Sequence, residues 1–209
     1  MEVILLSLLV VLVLFFLMSI QIVRPTHRAL VERMGHYSRF WDQGVHFRIP
    51  ILEKVYRVDI TERMVEAEPQ QIITNDNLNA NVDAQVYFKI KADEDSVKKS
   101  IYNVQNYEWQ IVNLARTTLR DTIGQMPFKQ VNSERSKLNR KIAEQLKIET
   151  NNWGIEIVRT ELKEIDPPED VQETMNKVMK AENEKVAAID FATARETEAD
   201  GVKLSLIHI

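Results

Sequence analysis

Oxygen-bearing side chains near the middle of the chain form the grouping that comes nearest to a metal site. They alternate with apolar residues and therefore share one face of a predicted strand: Asn77, Asn79, Asn81 and Asp83. Such a row could offer oxygen atoms to Ca²⁺, but a calcium-binding loop also needs a glycine at its sharp turn and a bidentate glutamate at its end, and both are missing here. The pattern favours a solvated strand face, and we expect neither a metal ion nor a cofactor.

The residue patterns that carry catalysis are missing from the sequence. The four histidines form no His-x-x-x-His or His-Glu-x-x-His pair, and there is no Gly-x-Ser-x-Gly motif. The five glycines are too scattered to build a phosphate-binding loop, and the chain has no cysteine to act as a nucleophile, metal ligand or disulfide partner. A net charge of −4 argues against nucleic acid as the main partner. We therefore predict no catalytic residues and a protein that is not an enzyme.

The N-terminus is the most hydrophobic segment of the chain. Residues 3–23 are apolar except for two serines and one glutamine, and none is charged. At about 1.5 Å per residue, a helix of this length spans roughly 31 Å, which matches the hydrocarbon core of a bilayer. We therefore predict a transmembrane anchor over residues 1–25 that contacts membrane lipids. Its anchor positions are Val3, Leu6, Leu9, Leu12, Phe15, Phe16, Ile20 and Val23.

A cleaved signal peptide is the competing interpretation of the N-terminus. It would need a basic leader, an apolar run of about 7–15 residues and a small-x-small cleavage site. The leader here contains Glu2 and no basic residue, and the apolar run is too long. We therefore expect the anchor to be retained. Arg24 and the basic residues after it, set against Glu2, place the bulk of this single-pass chain in the cytoplasm, at the cell membrane, by the positive-inside rule.

Residues 26–166 are numerous enough for one domain with its own core. The clearest strand covers residues 78–91, where apolar and polar residues alternate as in an antiparallel strand that packs by one side only. Helical spacing follows, with an apolar stripe at Val112, Ala115, Leu119 and Ile123. A second helix is predicted to begin at Asn132 or Ser133, and residues 155–165 alternate again as a strand. This order of elements favours an α+β fold with antiparallel strands and packed helices.

Three aromatic residues lie soon after the anchor, at Tyr37, Phe40 and Trp41, beside the basic Arg39. Amphipathic aromatic side chains commonly sit at the level of the lipid headgroups, so residues 37–49 could rest on the membrane. Burial of the same side chains in the core of the domain is an equal alternative. The sequence leaves both interpretations open.

Residues 167–203 are predicted to form a long C-terminal helix. From position 171 to position 200 there is no Pro or Gly, and apolar positions recur eleven residues apart, as in a coiled coil. A solitary charged helix is the alternative. The predicted oligomer interface consists of Val171, Met175, Val178, Val186 and Ile189. Residues 204–209 do not continue the pattern and look like a translated sequencing adapter, so we expect a non-native tail and a natural protein that continues beyond Lys203.

A series of motifs in this chain resembles the SPFH domain (Band 7) family, which includes stomatins, prohibitins, flotillins and HflK/C. The likeness extends over residues 3–203 and is strongest to prokaryotic stomatin-like proteins. The motifs are RALVERMG at 28–35, GVHFRIP at 44–50, QIITNDN at 71–77, ARTTLR at 115–120, IGQM at 123–126, WGI at 153–155 and EIDPP at 164–168.

The resemblance implies a membrane-anchored scaffold rather than an enzyme. Members of the family assemble into large homo-oligomeric rings or cages, organise membrane microdomains and regulate membrane proteins or proteases. Prokaryotic stomatins are typically paired with an NfeD-type membrane protein, which sometimes carries a protease domain. An HflK/C-like regulatory subunit of a membrane AAA protease is the alternative that the resemblance leaves open. A third hypothesis is that the protein is a metal-dependent enzyme, which is supported only by the Asn and Asp strand face.

Overall fold

The first helix of the chain is shorter than the sequence predicts. In the computed structural model, which describes residues 1–166 and 169–207, helix α1 covers Glu2–Ser19 and strand β1 covers Ile20–Val23. Ile20 and Val23 were predicted as anchor positions on the helix; both lie in β1 instead, and their part in anchoring the chain stays a prediction. The segment is rich in β-branched residues, which fit an extended backbone, and it pairs with another strand. This pairing supplies hydrogen bonds that replace those of a continued helix.

Residues 20–59 form an N-terminal module of two small antiparallel sheets. The strands after β1 are β2 (His27–Arg33), β3 (His36–Trp41), β4 (Gly44–Phe47) and β5 (Glu53–Asp59). In one sheet β1 pairs with β4, and in the other β2 lies between β3 and β5. A small core joins the two sheets and consists of Val23, Ala29, Val31 and Trp41.

The second sheet belongs to a larger module that holds the main core. It consists of β6 (Arg63–Ile73), β7 (Asn79–Ile90) and β8 (Ile155–Asp166), with β7 in the centre and both pairings antiparallel. The apolar residues predicted for one face of β7 are buried: Ala80, Val82, Ala84, Val86, Phe88 and Ile90. A bulge interrupts β6 between Ala67 and Gln70, around Pro69, which fits an edge strand because proline has no N–H to donate.

Helices cover one side of this sheet. They are α2 (Glu94–Tyr102), α3 (Tyr107–Gly124), α4 (Phe128–Ser133) and α5 (Arg135–Thr150), followed by one 3₁₀ turn (Asn151–Trp153). The buried stripe of α3 begins at Ile111, and Val112 is only half-buried. The predicted start of the second helix at Asn132 or Ser133 is wrong, because those residues end α4 and α5 begins at Arg135. The α+β arrangement with antiparallel strands is confirmed.

The chain continues into helix α6 (Glu169–Ile207), which has 39 residues. At about 1.5 Å per residue it is roughly 58 Å long. Its described side chains are exposed apart from Val171, which is half-buried. The pairing of this helix with another copy, as in a coiled coil, stays a prediction. Of the predicted non-native tail, the side chains of residues 204–207 and the whole of residues 208–209 lie outside the described part of the chain.

Candidate membrane-facing surface

Helix α1 presents apolar side chains on all sides and packs them against almost nothing. By length and composition it is the one helix in the described part of the chain that could cross a membrane, and a signal sequence would meet the same test. Its 18 residues span about 27 Å, close to the thickness of the hydrocarbon core. Six of the eight predicted anchor positions lie on this helix and are exposed: Val3, Leu6, Leu9, Leu12, Phe15 and Phe16.

The end of α1 is joined directly to the β1–β4 sheet. The backbone N–H of Arg48 donates to the carbonyl of Ser19, the last residue of the helix, at 2.8 Å. The rings of Phe16 and Phe47 lie 5.9 Å apart, so one side chain of the helix contacts one of β4. The strand surface that contains Phe47 therefore continues the apolar surface of the helix.

A set of exposed apolar side chains, which we call the apolar patch, extends from this junction. In the β1–β4 ladder Ile20 is opposite Phe47 and Ile22 is opposite Val45, so these four side chains share one face of the sheet. Val23 belongs to the other face and is buried. The patch continues into the loop after β4, and its exposed members are Ile22, Val45, Phe47, Ile49, Ile51 and Leu52. Exposed apolar clusters of this kind mark surfaces that contact a protein or a membrane.

Ile51 has the most unusual conformation in the patch. Its φ is +73°, in the left-handed region that β-branched residues rarely adopt, and its side chain is 96% exposed. Left-handed backbone costs a non-glycine residue about 1–2 kcal/mol, and no burial within the described chain offsets that cost. Backbone strain of this sort clusters at functional sites, where the surrounding structure holds the residue in its unfavourable conformation.

Glu53 holds the loop of the patch in place. Its carboxylate is buried and accepts hydrogen bonds from Arg33 at 2.7 Å, Arg39 at 2.8 Å and the backbone N–H of Ile49 at 2.9 Å. Burial alone would raise the pKa of Glu53. The bond from Ile49 and the two guanidinium groups outweigh burial and hold the pKa below its ordinary value. Arg39 also donates to the carbonyl of Phe47, so the same cluster ties β3, β4 and the loop together.

The structure decides between the two interpretations left open for the aromatic residues. Trp41 is buried in the small core, where its ring stacks on His46 at 4.8 Å, and Tyr37 and Phe40 are half-buried against the main core. Core packing therefore applies to these three side chains. The exposed residues of the segment are apolar ones that the sequence reasoning did not single out. The alternation of Val45, Phe47 and Ile49 was a signal that could have revealed them.

The row of Asn and Asp residues does not come together as a site. Asn79 and Asn81 point outward from β7 and are exposed, and Asn77 lies in the preceding turn at a φ of +59°. Asp83 is buried, with its carboxylate 4.0 Å from the ammonium group of Lys163. In the part of the chain that the structure describes, no three His, Cys, Asp or Glu residues are grouped so that they could hold a metal ion.

The predicted oligomer interface lies along α6. Val178, Val186 and Ile189 are 60%, 51% and 55% exposed, which leaves their apolar surface free for another molecule. Val171 is half-buried, and the side chain of Met175 lies outside the described residues. The structure therefore describes four of the five side chains, three of them exposed, and leaves their role as an interface a prediction.

Comparison with known proteins finds a matching family and relatives that cover most of the chain. The SPFH domain / Band 7 family matches residues 21–197. An uncharacterised protein of Methanocaldococcus jannaschii is 40% identical over 180 residues, which make up 86% of this chain and 88% of that protein. A second, from Methanothermobacter thermautotrophicus, is 37% identical over 97% of this chain and 61% of its own length. A stomatin homolog of Pyrococcus horikoshii is 34% identical over 94% of this chain and 73% of its own length.

Proposed function

Because this chain belongs to the SPFH domain / Band 7 family, we propose that it is a stomatin-like scaffold, anchored in a membrane by α1 and assembled with further copies through α6. In this proposal it binds lipids and other proteins and catalyses no reaction. The bulk of the chain lies on the cytoplasmic side of the cell membrane. The finer role is to organise the surrounding membrane and to regulate membrane proteins or proteases there, with an NfeD-type membrane protein as a partner.

The observation that carries the proposal is the continuity between α1 and the apolar patch. A lone apolar helix is also found in secretory signals, but a signal sequence does not require a matching surface on the folded domain. Here the Phe16–Phe47 contact and the Arg48–Ser19 hydrogen bond make the helix and the patch one surface. A domain held in this way rests with its β1–β4 face on the bilayer, where Ile22, Val45 and Phe47 can be buried in lipid.

Self-association follows from the same arrangement. Copies tethered in one plane meet at a high effective concentration, so weak contacts between neighbouring helices add up over an assembly. Helix α6 offers the exposed apolar side chains of Val178, Val186 and Ile189 for these contacts. The interface that we propose is the one predicted above, with Val171 and Met175 as its first positions.

Membrane fractionation of the full chain tests the proposal. We expect the protein to stay in the membrane fraction after alkaline carbonate washing and to leave it only with detergent, because the largely apolar 18-residue helix α1 is buried in lipid. Recovery of the intact chain in the aqueous fraction would contradict the proposed anchor. A chain that has lost its N-terminal segment would identify that segment as a cleaved signal. A protease-accessibility assay on spheroplasts, with a tag after Lys203, then determines the side of the membrane.

A further inference from the structure

Charge is distributed unevenly between the membrane-facing module and the rest of the chain. Residues 20–59 contain seven Lys and Arg against four Asp and Glu, whereas the whole chain carries a net charge of −4. The N-terminal module is therefore basic, and the remainder of the protein is acidic. A charge asymmetry of this kind indicates a polyanionic partner for the basic part. The surface concerned is the one that, in the proposed function, lies on the bilayer.

Each of the four acidic residues of the module already has a hydrogen-bond or ion-pair partner within the chain. Asp42 forms an ion pair with Arg28 at 3.1 Å, and Glu53 is bound by Arg33 and Arg39. Glu32 accepts a hydrogen bond from Tyr102, and Asp59 accepts bonds from Thr61. Within residues 1–166 and 169–207, two arginines of the module have neither an ion pair nor a side-chain hydrogen bond: Arg24 and Arg48.

Arg48 lies at the level where the apolar helix ends. Its backbone N–H is bound to Ser19, the last residue of α1, and the next residue, Ile49, belongs to the apolar patch. Its Nε atom is buried and has no hydrogen-bond partner among the described residues. A lipid phosphate cannot reach the buried Nε, but the two Nη atoms of the same guanidinium group are not buried and bind no other described residue, so they are free to bind a partner outside the chain. At this level of a bilayer the abundant acceptors are lipid phosphate oxygens, which guanidinium groups bind well.

We propose that the N-terminal module selects anionic phospholipids, with Arg48 and Arg24 binding the phosphate groups around the apolar patch. This inference rests on the proposed function, since it requires the β1–β4 face to lie on the membrane. The patch is buried among the acyl chains while the arginines remain at the headgroups, as basic side chains beside apolar membrane segments do. The net positive charge of the module, and not the phosphate contact alone, gives the preference for anionic over zwitterionic lipid.

Lipid selectivity of the full chain in bilayers provides the test. The protein is reconstituted in phosphatidylcholine with a small amount of spin-labelled phosphatidylglycerol or spin-labelled phosphatidylcholine, and the motionally restricted fraction of each label is measured. We expect phosphatidylglycerol to be enriched several-fold beside the protein. Arg48→Gln lowers this preference by up to about fivefold, because one basic residue contributes on the order of 1 kcal/mol to the attraction of an anionic lipid. Raised salt lowers it in the wild-type chain as well.

A matched substitution outside the module controls for a general change in charge. Arg116 on α3 also has no ion pair among the described residues, and Arg116→Gln removes the same charge while leaving the lipid preference unchanged in this proposal. Equal restriction of both labels in the wild-type chain would overturn the selectivity and leave the membrane attachment standing. A chain that fails to incorporate and restricts neither label would instead overturn the proposed function. If Arg116→Gln lowered the preference for phosphatidylglycerol as much as Arg48→Gln does, the role given to Arg48 would be overturned.

Discussion

Gly154 shows how one residue can fix the contact between two helices and a strand. It follows the 3₁₀ turn at the end of α5 with a φ of +72°, and it precedes β8. A Cβ atom added here would lie 2.1 Å from the carbonyl oxygen of Ser96 and 2.7 Å from its Cα, both backbone atoms of α2. Glycine is therefore required twice, by the left-handed conformation and by the close approach of α2.

Substitution of Gly154 by alanine separates these two requirements. Gly35 has a similar φ of +83° but nothing within 4 Å of an added Cβ, so Gly35→Ala is the matched control. We expect Gly35→Ala to lower the free energy of unfolding by about 1–2 kcal/mol, the cost of left-handed backbone. Gly154→Ala adds the steric clash and should cost about 3 kcal/mol or more. Urea unfolding of both variants in detergent, followed by circular dichroism, measures the difference, and equal losses would contradict the packing argument.

Asp76 stabilises the start of α4 from a distant part of the chain. Its carboxylate accepts hydrogen bonds from the backbone N–H of Phe128, at 3.1 Å, and from the hydroxyl of Thr74, at 2.5 Å. Burial would raise the pKa of Asp76, but these two bonds outweigh burial and lower it. Helix α4 has no capping side chain of its own, so Asp76 supplies the acceptor that its first turn needs.

Asp76→Ala should lower the free energy of unfolding by about 1–2 kcal/mol, the usual cost of losing an N-terminal acceptor. Asp76→Asn keeps one carbonyl oxygen and should cost less than the alanine variant. The folded-state pKa is lowered, so the contribution is complete above the ordinary carboxyl pKa of about 4 and disappears as the pH falls through the folded value. Thermal unfolding of the three chains at neutral and acidic pH checks both points, and an alanine variant as stable as wild type at neutral pH would refute the capping role.

Glu53 gives a second pH-dependent prediction, at the loop of the apolar patch. Because its pKa is lowered in the folded chain, the carboxylate stabilises the module above the ordinary pKa and loses this effect as the pH falls. Glu53→Gln should therefore cost about 1–3 kcal/mol at neutral pH, since Arg33 and Arg39 lose a charged acceptor. The difference in melting temperature between variant and wild type should become smaller toward acidic pH. Exposed Glu68→Gln is the control, and a gap that stays constant with pH would contradict this account.

At the scale of elements, the loop between β4 and β5 combines backbone strain with exposed apolar side chains. Ile51→Gly removes the left-handed strain, because glycine adopts a φ of +73° without steric cost. We expect the free energy of unfolding of this variant in detergent to be about 1 kcal/mol higher than that of the wild-type chain. Ile49→Gly, in the same loop but without positive φ, is the control and should be destabilising.

Ile51→Gly should also weaken contact between the loop and the bilayer, measured as greater hydrogen exchange of residues 47–52 in nanodiscs. A lower melting temperature for Ile51→Gly would show that the strain argument is wrong.

The boundary between α1 and β1 marks the limit of prediction from composition. Ile20, Ile22 and Val23 are apolar and uncharged, so a sequence pattern includes them in a membrane helix of 21 residues. The same β-branched residues also suit a strand, and the choice depends on β4, which is more than twenty residues away in the chain. Local sequence carries no information about such a partner. For the same reason, the pattern located the anchor but not the apolar patch beside it.

Within the larger module, elements with long and regular periodicity were predictable and short ones were not. Strand β7 alternates over its whole length and lies at the centre of its sheet, as expected. Helix α4 has only six residues, too few to show a period, and its first turn is capped by Asp76 from another segment. The buried stripe of α3 includes Thr118 and Thr122, whose polar hydroxyls conceal it from a pattern based on apolar residues. Tertiary contacts decide these cases.

For the whole molecule, the proposed scaffold depends on weak contacts multiplied by a common membrane. Among its described residues one α6 helix exposes five large apolar side chains, a small area for a stable dimer in solution: Val178, Met179, Val186, Ile189 and Phe191. Tethering by α1 changes the balance, because neighbours in a bilayer are held at high effective concentration. Assembly should therefore be stronger in membranes than in dilute detergent, and it should respond to changes along α6 without any change in the fold of residues 20–166.

The double variant Val186→Glu with Ile189→Glu tests this assembly. Both side chains are more than half exposed, so the fold should be unaffected, while two charges at the interface should weaken association at least about tenfold. Ile148→Glu, on α5 and 72% exposed, is the matched control because it places the same charge on another apolar surface. Chemical crosslinking in membranes, with the melting temperature measured in parallel, reports assembly and fold separately. If the double variant crosslinks as fully as the control, α6 is not the interface, and the copies must meet through the modules of residues 20–166.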